Sequence, residues 1–322
     1  MPLLSSTSKD TIYTALEERS FAKIFDSVFI LRPTLMFPLI TMILVGHRIS
    51  DAENSLAWER WFFLVLALCA MFGLGYLLNQ IRDRKSDQQN GKLILIAEGV
   101  IGRKHLVIEI VILSSIVPLM LHAAGFSRLI VWVLAMFLVG GIFYNFKPLS
   151  LQNHPLGGLL AGLIGGVLLL RFGGMIVSNP TDWLSALPYI IAFGAASLLT
   201  DLLDREGDTA NGKKTFVVVY GYRTTMLTSL VGFIIAGLLG LYNWDWVITV
   251  PAFISSPVLF WGWKKNSVRV AVLANKIAIF TLSVAIGVFY PVYLVVIGLY
   301  YPLARWYYAR RLGMRYPSFE LK

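Results

Sequence analysis

Residues 61–87 read WFFLVLALCAMFGLGYLLNQIRDRKSD. The first 18 of them, 61–78, carry no charge. A bilayer core takes a helix of about 20 apolar residues, so this run reads as a membrane-crossing helix. It then turns polar, and Asn79, Asp83 and Asp87 follow at four-residue steps. On a helix these three stack on one face, about 6 Å apart. The pattern recurs at 183–208, WLSALPYIIAFGAASLLTDLLDREGD, where Asp201, Asp204 and Asp208 stand at i, i+3 and i+7. That spacing again selects one helical face.

Working outward, further apolar runs fall at about 28–46, 60–78, 105–121, 128–146, 156–177, 183–203, 225–243, 246–263, 270–289 and 291–308. Ten spans would use roughly 200 of the 322 residues, which fits a chain that is 57% hydrophobic and 14% charged. An ordinary soluble domain has about 25% charged residues. Disorder, a disulfide scaffold and a collagen-like chain are excluded on the same numbers, and the single Cys69 lies inside an apolar run. The expected fold is an all-α polytopic transmembrane helical bundle of nine or ten spans. The ninth run is the weakest, because it contains Lys276. The reading divides the chain into a polar cytoplasmic segment 1–27, a membrane domain 28–308 and a basic tail 309–322. No cleavable signal is visible in 1–27, so the first apolar run would serve as its own insertion signal.

The net charge of +10 reads as topology rather than as affinity for nucleic acid, since basic residues collect in cytoplasmic loops. With ten spans and a cytoplasmic N-terminus, 24 of the 28 Lys and Arg fall inside. Only Arg48, Arg60, Arg128 and Arg171 fall elsewhere. The two long polar loops, 79–104 and 204–224, are then both cytoplasmic, and each carries one acidic cluster. The expected location is the bacterial inner membrane, with lipid as a partner.

Five of the 18 acidic residues stand in these two clusters. Like charges at such spacings destabilise a bare helix, and each charge buried in a bilayer costs about 2.5–3.5 kcal/mol. A divalent cation is the simplest compensation. Mg²⁺ favours oxygen ligands and binds through one or two carboxylates plus substrate phosphates. Two facing clusters could therefore hold Mg²⁺ around a diphosphate, with Arg82, Arg84, Lys92, Arg205, Lys213 and Lys214 nearby to take phosphate charge.

Together the two clusters resemble the UbiA superfamily of intramembrane prenyltransferases. Its pattern is NxxxDxxxD after the second helix and DxxxD after the sixth. This chain has Asn79-x3-Asp83-x3-Asp87 and Asp204-x3-Asp208, with Asp201 one turn earlier. The continuation GDTANGKKTFVVVYGYR at 207–223 is similar to the family's GDxxxGKxT. Arg32-Pro33 resembles the family's Arg-Pro at the first helix, and Tyr144 to Pro148 resembles its Tyr-Ser-x-x-Pro segment. Departures are Asn145 in place of Ser, Ser150 in place of a base, no Pro between Lys92 and Gly99, and an apolar run at 291–308 beyond the family's usual nine helices.

The resemblance implies transfer of a prenyl group from an isoprenyl diphosphate to a lipophilic or aromatic acceptor, with release of diphosphate. It implies Mg²⁺ held by Asn79, Asp83, Asp87, Asp201, Asp204 and Asp208, with Asp83 and Asp204 central to catalysis. Arg32, Lys92, Tyr144, Lys147 and Lys213 are the implied substrate contacts. Phe72, Tyr76, Phe143, Tyr144 and Phe193 are candidate cation-stabilising rings, or ordinary packing. Arg171 reads as a snorkelling residue. Glu109 has cavity and interface readings. His47, His105, His122 and His154 lack metal-ligand spacing and read as interface residues. Two rivals remain. A terpene cyclase would share the ionisation step. A cation-coupled transporter would place its ion ligands near the midplane, whereas these acids sit at the cytoplasmic face.

Overall fold

A computed structural model describes residues 25–50, 57–84, 87, 94–97, 99–178, 181–313 and 316. Among the described residues the regular structure is helical throughout. The first helix, α1 (Met36–Ile49), follows a short turn at Asp26–Phe29 and a 3-10 turn at Pro33–Leu35. Then come α2 (Trp58–Arg82), α3 (Arg103–Ala123) and α4 (Ile130–Phe137), which continues as a π-helix at Leu138–Phe143. They are followed by α5 (Gly157–Ile176), α6 (Trp183–Thr200) and α7 (Phe216–Tyr242). The last three are α8 (Trp246–Lys265), α9 (Val268–Gly287) and α10 (Pro291–Leu312).

Among the described residues, eight helical stretches are long and apolar enough to cross a membrane: Asp26–Ile49 and α2, α3, α5, α6 (to Leu203), α7, α8 and α9. The stretch Ser127–Phe143 is shorter. The helix α10 mixes apolar residues with Tyr, Trp and Arg. Lys276 does not break the ninth run: α9 is continuous, and α10 is separate from it. The sequence places the start of the seventh span at 225, but helix begins at Phe216. Gly221, at φ 80°, interrupts it, so 216–220 form a separate turn that a scan for apolar periodicity reads as loop.

The helices pack as a ring: α1 on α5, α5 on α6, then α6 on α7, α7 on α8, α8 on α9, and α9 back on α1, with α2 against α3. The α1–α5 contact is backbone-close. A Cβ on Gly46 would lie 2.1 Å from the Leu170 carbonyl oxygen, and one on Gly173 would lie 2.1 Å from that of Ile43. Small residues permit this approach in membrane bundles. The outward faces are apolar. Val107, Ile108, Val111 and Ile112 on α3 are exposed, as are Val231, Ile234, Ile235 and Leu238 on α7. Exposed apolar patches of this size mark an interaction surface.

At the end of the bundle away from the acidic clusters, Arg48 Nη1 donates to Asp245 at 3.1 Å and Tyr189 donates to the same oxygen at 2.6 Å. The Arg48 guanidinium also stacks on Phe289 at 4.7 Å. Asp182, outside the spans, caps α6. The Ser185 hydroxyl bonded to it, together with the Leu184 and Ser185 backbone N–H groups, holds its carboxyl below the ordinary range. Arg171 sits half-buried, 3.4 Å from Thr181. Glu109 pairs with His105 at 3.4 Å. His47 bonds Tyr290 at 2.7 Å and His122 bonds Ser127 at 3.2 Å.

Candidate active site

The ends of α2 and α6 bring the acidic residues to one cavity of about 830 Å³ inside the bundle. Asn79 stands in the last turn of α2, and Asp83 is its C-cap, with the Asp83 N–H on the Asn79 carbonyl at 2.8 Å. The α6 end is not the single helix that the i, i+3, i+7 spacing suggests. Asp201–Leu203 is a 3-10 turn, Asp204 ends it, and Arg205–Ala210 starts a new short helix. The chain bends, yet Asp201, Asp204 and Asp208 all still line the cavity, opposite Asn79 and Asp83. Asp87 is half-buried one turn beyond Asp83 and is not part of the lining.

Lys213 ties the two clusters. Its Nζ lies 3.3 Å from Asp83 Oδ2 and 3.4 Å from Asp208 Oδ1. It also donates to Gln152 Oε1 at 3.3 Å. Gln152 Nε2 donates to Asn145 Oδ1 at 3.1 Å, and Asn79 Nδ2 donates to the same oxygen at 2.7 Å. Asn145 Nδ2 in turn donates to the Gly141 carbonyl in the π-helix at 2.8 Å. A closed amide network therefore fixes Asn79 from behind. Both Asn145 and Gln152 are buried, so each bond is worth more than at a wet surface. Sequence reading missed Gln152 and treated Asn145 only as a departure. Nothing in the spacing marks either one, because the loop 144–156 reaches α2 only in the folded bundle.

Arg32 lines the cavity from the left-handed region at φ 56°, a conformation that costs on the order of 1–3 kcal/mol for a residue with a side chain. Its guanidinium lies 5.9 Å from the Tyr76 ring centroid, and the Tyr76 hydroxyl donates to the Leu35 carbonyl at 3.0 Å. Tyr144, Phe72 and Phe193 line the same space, whereas Phe143 is exposed outside it. Lys147 is exposed and is not among the lining residues. Lys92 lies outside the described residues. Lys276, noticed in the sequence only as a weak point of its span, lines the cavity. An ionisable residue at membrane depth is a functional signal by default, and that was the available clue.

Four carboxylates and one amide converge here, with Lys213 pairing two of the carboxylates. The donor set is all oxygen, which suits a hard cation such as Mg²⁺. Among the described residues, no three His, Cys, Asp or Glu side chains close on one another tightly enough to cage a metal alone. The deeper cavity is mostly apolar, with Met71, Phe72, Leu168, Leu169 and Phe193 among its walls. An anionic head with a hydrocarbon tail matches this polarity gradient.

Comparison with solved structures finds the same architecture. A UbiA homolog from Archaeoglobus fulgidus bound to GPP and Mg²⁺ is 14% identical, with a TM-score of 0.63, covering 81% of this chain and 99% of that one. An apo UbiA homolog from Aeropyrum pernix K1 is 15% identical at a TM-score of 0.61, covering 81% and 96%. A digeranylgeranylglyceryl phosphate synthase is 15% identical at a TM-score of 0.53, covering 82% and 98%. At these identities the likeness is one of fold. No curated protein sequence matches the chain. The profile of the UbiA prenyltransferase family matches residues 39–272, which include Asn79, Asp83, Asp204, Asp208 and Lys213. With that match over most of its length, this integral membrane protein belongs to the UbiA prenyltransferase family.

Proposed function

We propose that the protein moves a prenyl group from an isoprenyl diphosphate to a lipophilic or aromatic acceptor and releases diphosphate in a Mg²⁺-dependent reaction. The observation that carries this is the convergence of Asp83, Asp201, Asp204, Asp208 and Asn79 at one end of a largely apolar intramembrane cavity. A fold neighbour binds GPP, an isoprenyl diphosphate, together with Mg²⁺. The same carboxylates here are the groups that would hold the ion, which supplies Lewis-acid stabilisation of the leaving diphosphate. Asp87 is the remaining candidate ligand from the sequence pattern.

The chain's own residues do the rest. Asn79 is oriented by Asn145 and Gln152. Lys213 and Arg32 carry positive charge beside the cavity and would face the phosphate oxygens, and Tyr144 stands at the same mouth. The apolar walls exclude water from the carbocation formed when the C–O bond breaks. Ring faces of Phe72, Tyr76 and Phe193 can stabilise passing positive charge. The skew of basic residues supports an orientation with the acidic end and the N-terminus in the cytoplasm; the membrane proposed is a bacterial inner membrane.

The test is diphosphate release from purified protein with a panel of prenyl diphosphates, with and without Mg²⁺. Release should require Mg²⁺ and fall about 10²–10³-fold in Asp83→Ala and in Asp204→Ala. Product analysis then separates transfer from cyclisation. Release that persists in both variants would remove the acidic pair from the chemistry.

A further inference from the structure

The helix α9 turns one face to the cavity. Val272, Asn275, Lys276, Ile279, Leu282 and Ser283 line it, at the steps of a single helical stripe. Ser283 is satisfied, since its hydroxyl meets Thr41 Oγ1 at 3.0 Å. Asn275 and Lys276 form a polar step on an otherwise apolar stretch, and both lie beyond the family-matched segment 39–272. Next to α9 the cavity is bounded by Ile297, Tyr300 and Tyr301 of α10. That helix is fastened to the first span by Tyr293 on Thr41 at 2.7 Å, Tyr300 on Thr34 at 2.8 Å, and Arg311 on Asp26 at 3.0 and 2.8 Å.

The Asn275 side chain is fixed at one end only. It is 6% exposed, and its Nδ2 donates to the Ala196 carbonyl of α6 at 3.3 Å. A carbonyl can be met only by the NH₂ end of the amide, so Oδ1 is turned away from it. Among the described residues this buried Oδ1 accepts no hydrogen bond. Buried acceptors in folded proteins are nearly always paired, so it is a place for a donor that the chain does not supply. Ala196 precedes Asp201 along α6, which sets this step about 7 Å deeper than the acidic end. Lys276 brings a positive charge to the same depth. The other described cations of the lining, Arg32 and Lys213, stand by the acidic end. Phe193 on α6 and Phe280 on α9 line the cavity about one turn deeper still.

We propose that Asn275 and Lys276 select the acceptor, and that the acceptor carries a carboxylate and a hydroxyl on an aromatic ring. Lys276 takes the carboxylate, and Asn275 Oδ1 accepts from the hydroxyl. This rests on the prenyltransferase reading above. A single ammonium beside a neutral amide balances one negative charge, as a carboxylate has, whereas a phosphate monoester carries about 1.5–2. The depth also fits, because the acceptor must meet the allylic carbon, which is bonded to the diphosphate at the acidic end. The ring carbon bonds to that carbon as the C–O bond breaks. Diphosphate leaves with the electron pair and takes up the proton that the ring loses.

The test compares the full-length protein with Lys276→Met and Lys276→Arg in lipid, with geranyl diphosphate and Mg²⁺. The acceptors are para-hydroxybenzoate, dihydroxynaphthoate and the methyl ester of each. One readout is the acid-to-ester ratio of kcat/KM for the acceptor. The other is the same ratio of affinities, from quenching of tryptophan fluorescence with an unreactive thiolo analogue of the donor in place. Wild type should favour at least one acid over its ester, and Lys276→Met should lower that ratio about 10–100-fold in both readouts. Lys276→Arg keeps the charge and should hold most of it. Should Lys276→Met fail to fold, Lys276→Gln carries the same expectation. Asn275→Leu should weaken binding of the hydroxy acid more than that of its methoxy counterpart. No preference for either acid in wild type overturns the proposal, as does an unchanged ratio in the folded Met variant or an equal loss for acid and ester. Weaker binding of the thiolo donor at an unchanged ratio would place Lys276 on the diphosphate and overturns it too. Acids that bind with a Lys276-dependent preference but are never prenylated sink the transferase reading and leave the subsite standing.

Discussion

Lys213 is the residue through which the ends of α2 and α6 touch, because it pairs with Asp83 and Asp208 at once. All three side chains are mostly buried. Removing one partner of a buried ionic group costs about 3–5 kcal/mol, since the charge left behind has no compensation. A divalent cation between the same carboxylates would restore it. Lys213→Met should therefore lower the midpoint of thermal unfolding in EDTA by several degrees, and Mg²⁺ should recover more of that loss than it adds to wild type. Scanning fluorimetry in detergent with and without Mg²⁺ measures this. An equal Mg²⁺ effect in both proteins would mean that Lys213 and the ion do not share a site. At this scale the acidic residues were legible, because carboxylates repeated at three- and four-residue steps repel one another and so call for a cation at the end of an apolar helix. Asn145 and Gln152 were not, because an amide's partner is chosen by the bundle and leaves no local pattern.

Between spans, α1 and α5 approach backbone to backbone. Gly46 and Gly173 each face the other helix's backbone, and backbone cannot move aside as a flexible side chain can. Overpacking typically costs about 1–3 kcal/mol. Gly173→Ala should sit at or above the upper end of that range, because its new methyl would meet three backbone atoms within 2.8 Å. Gly140→Ala, where a methyl would meet nothing within 4 Å, is the matched control. Unfolding in increasing SDS reports both, and equal midpoints would refute the close-packing account. The apolar runs gave the helices themselves plainly, since a span is about 20 residues of one character. Their ends were less visible. The turn 216–220 before Gly221, the bend at Asp204 and the π-turn at 138–143 each depend on one or two residues of backbone geometry. Hydropathy averages over such details.

For the molecule as a whole, charge and connectivity agree. The chain reverses at each helix, so the connections 83–102, 144–156, 204–215 and 266–267 share one end with the acidic sites. Most of the described Lys and Arg lie at that end. A reporter fused after Lys322 should show the cytoplasmic phenotype: green fluorescence and no alkaline phosphatase activity. The opposite pair of signals would invert the proposed orientation and strand the site outside. The general architecture could be inferred from composition and the two clusters. The place of α10 could not, because its polar and aromatic residues mean little until Thr34, Thr41 and Asp26 stand opposite them.

The Asp26–Arg311 pair, with Arg311 only 1% exposed, ties the first span to α10. Its partners are 285 residues apart in the chain. Ribosomes add about 5–20 residues per second, so Asp26 emerges on the order of 15–60 s before Arg311 exists. During that interval every acidic residue of the site has been made, while the chamber still lacks a side. The α10 wall of the cavity is thus added only after both acidic clusters exist, and a chain arrested before residue 291 would carry the clusters beside a cavity open on that side.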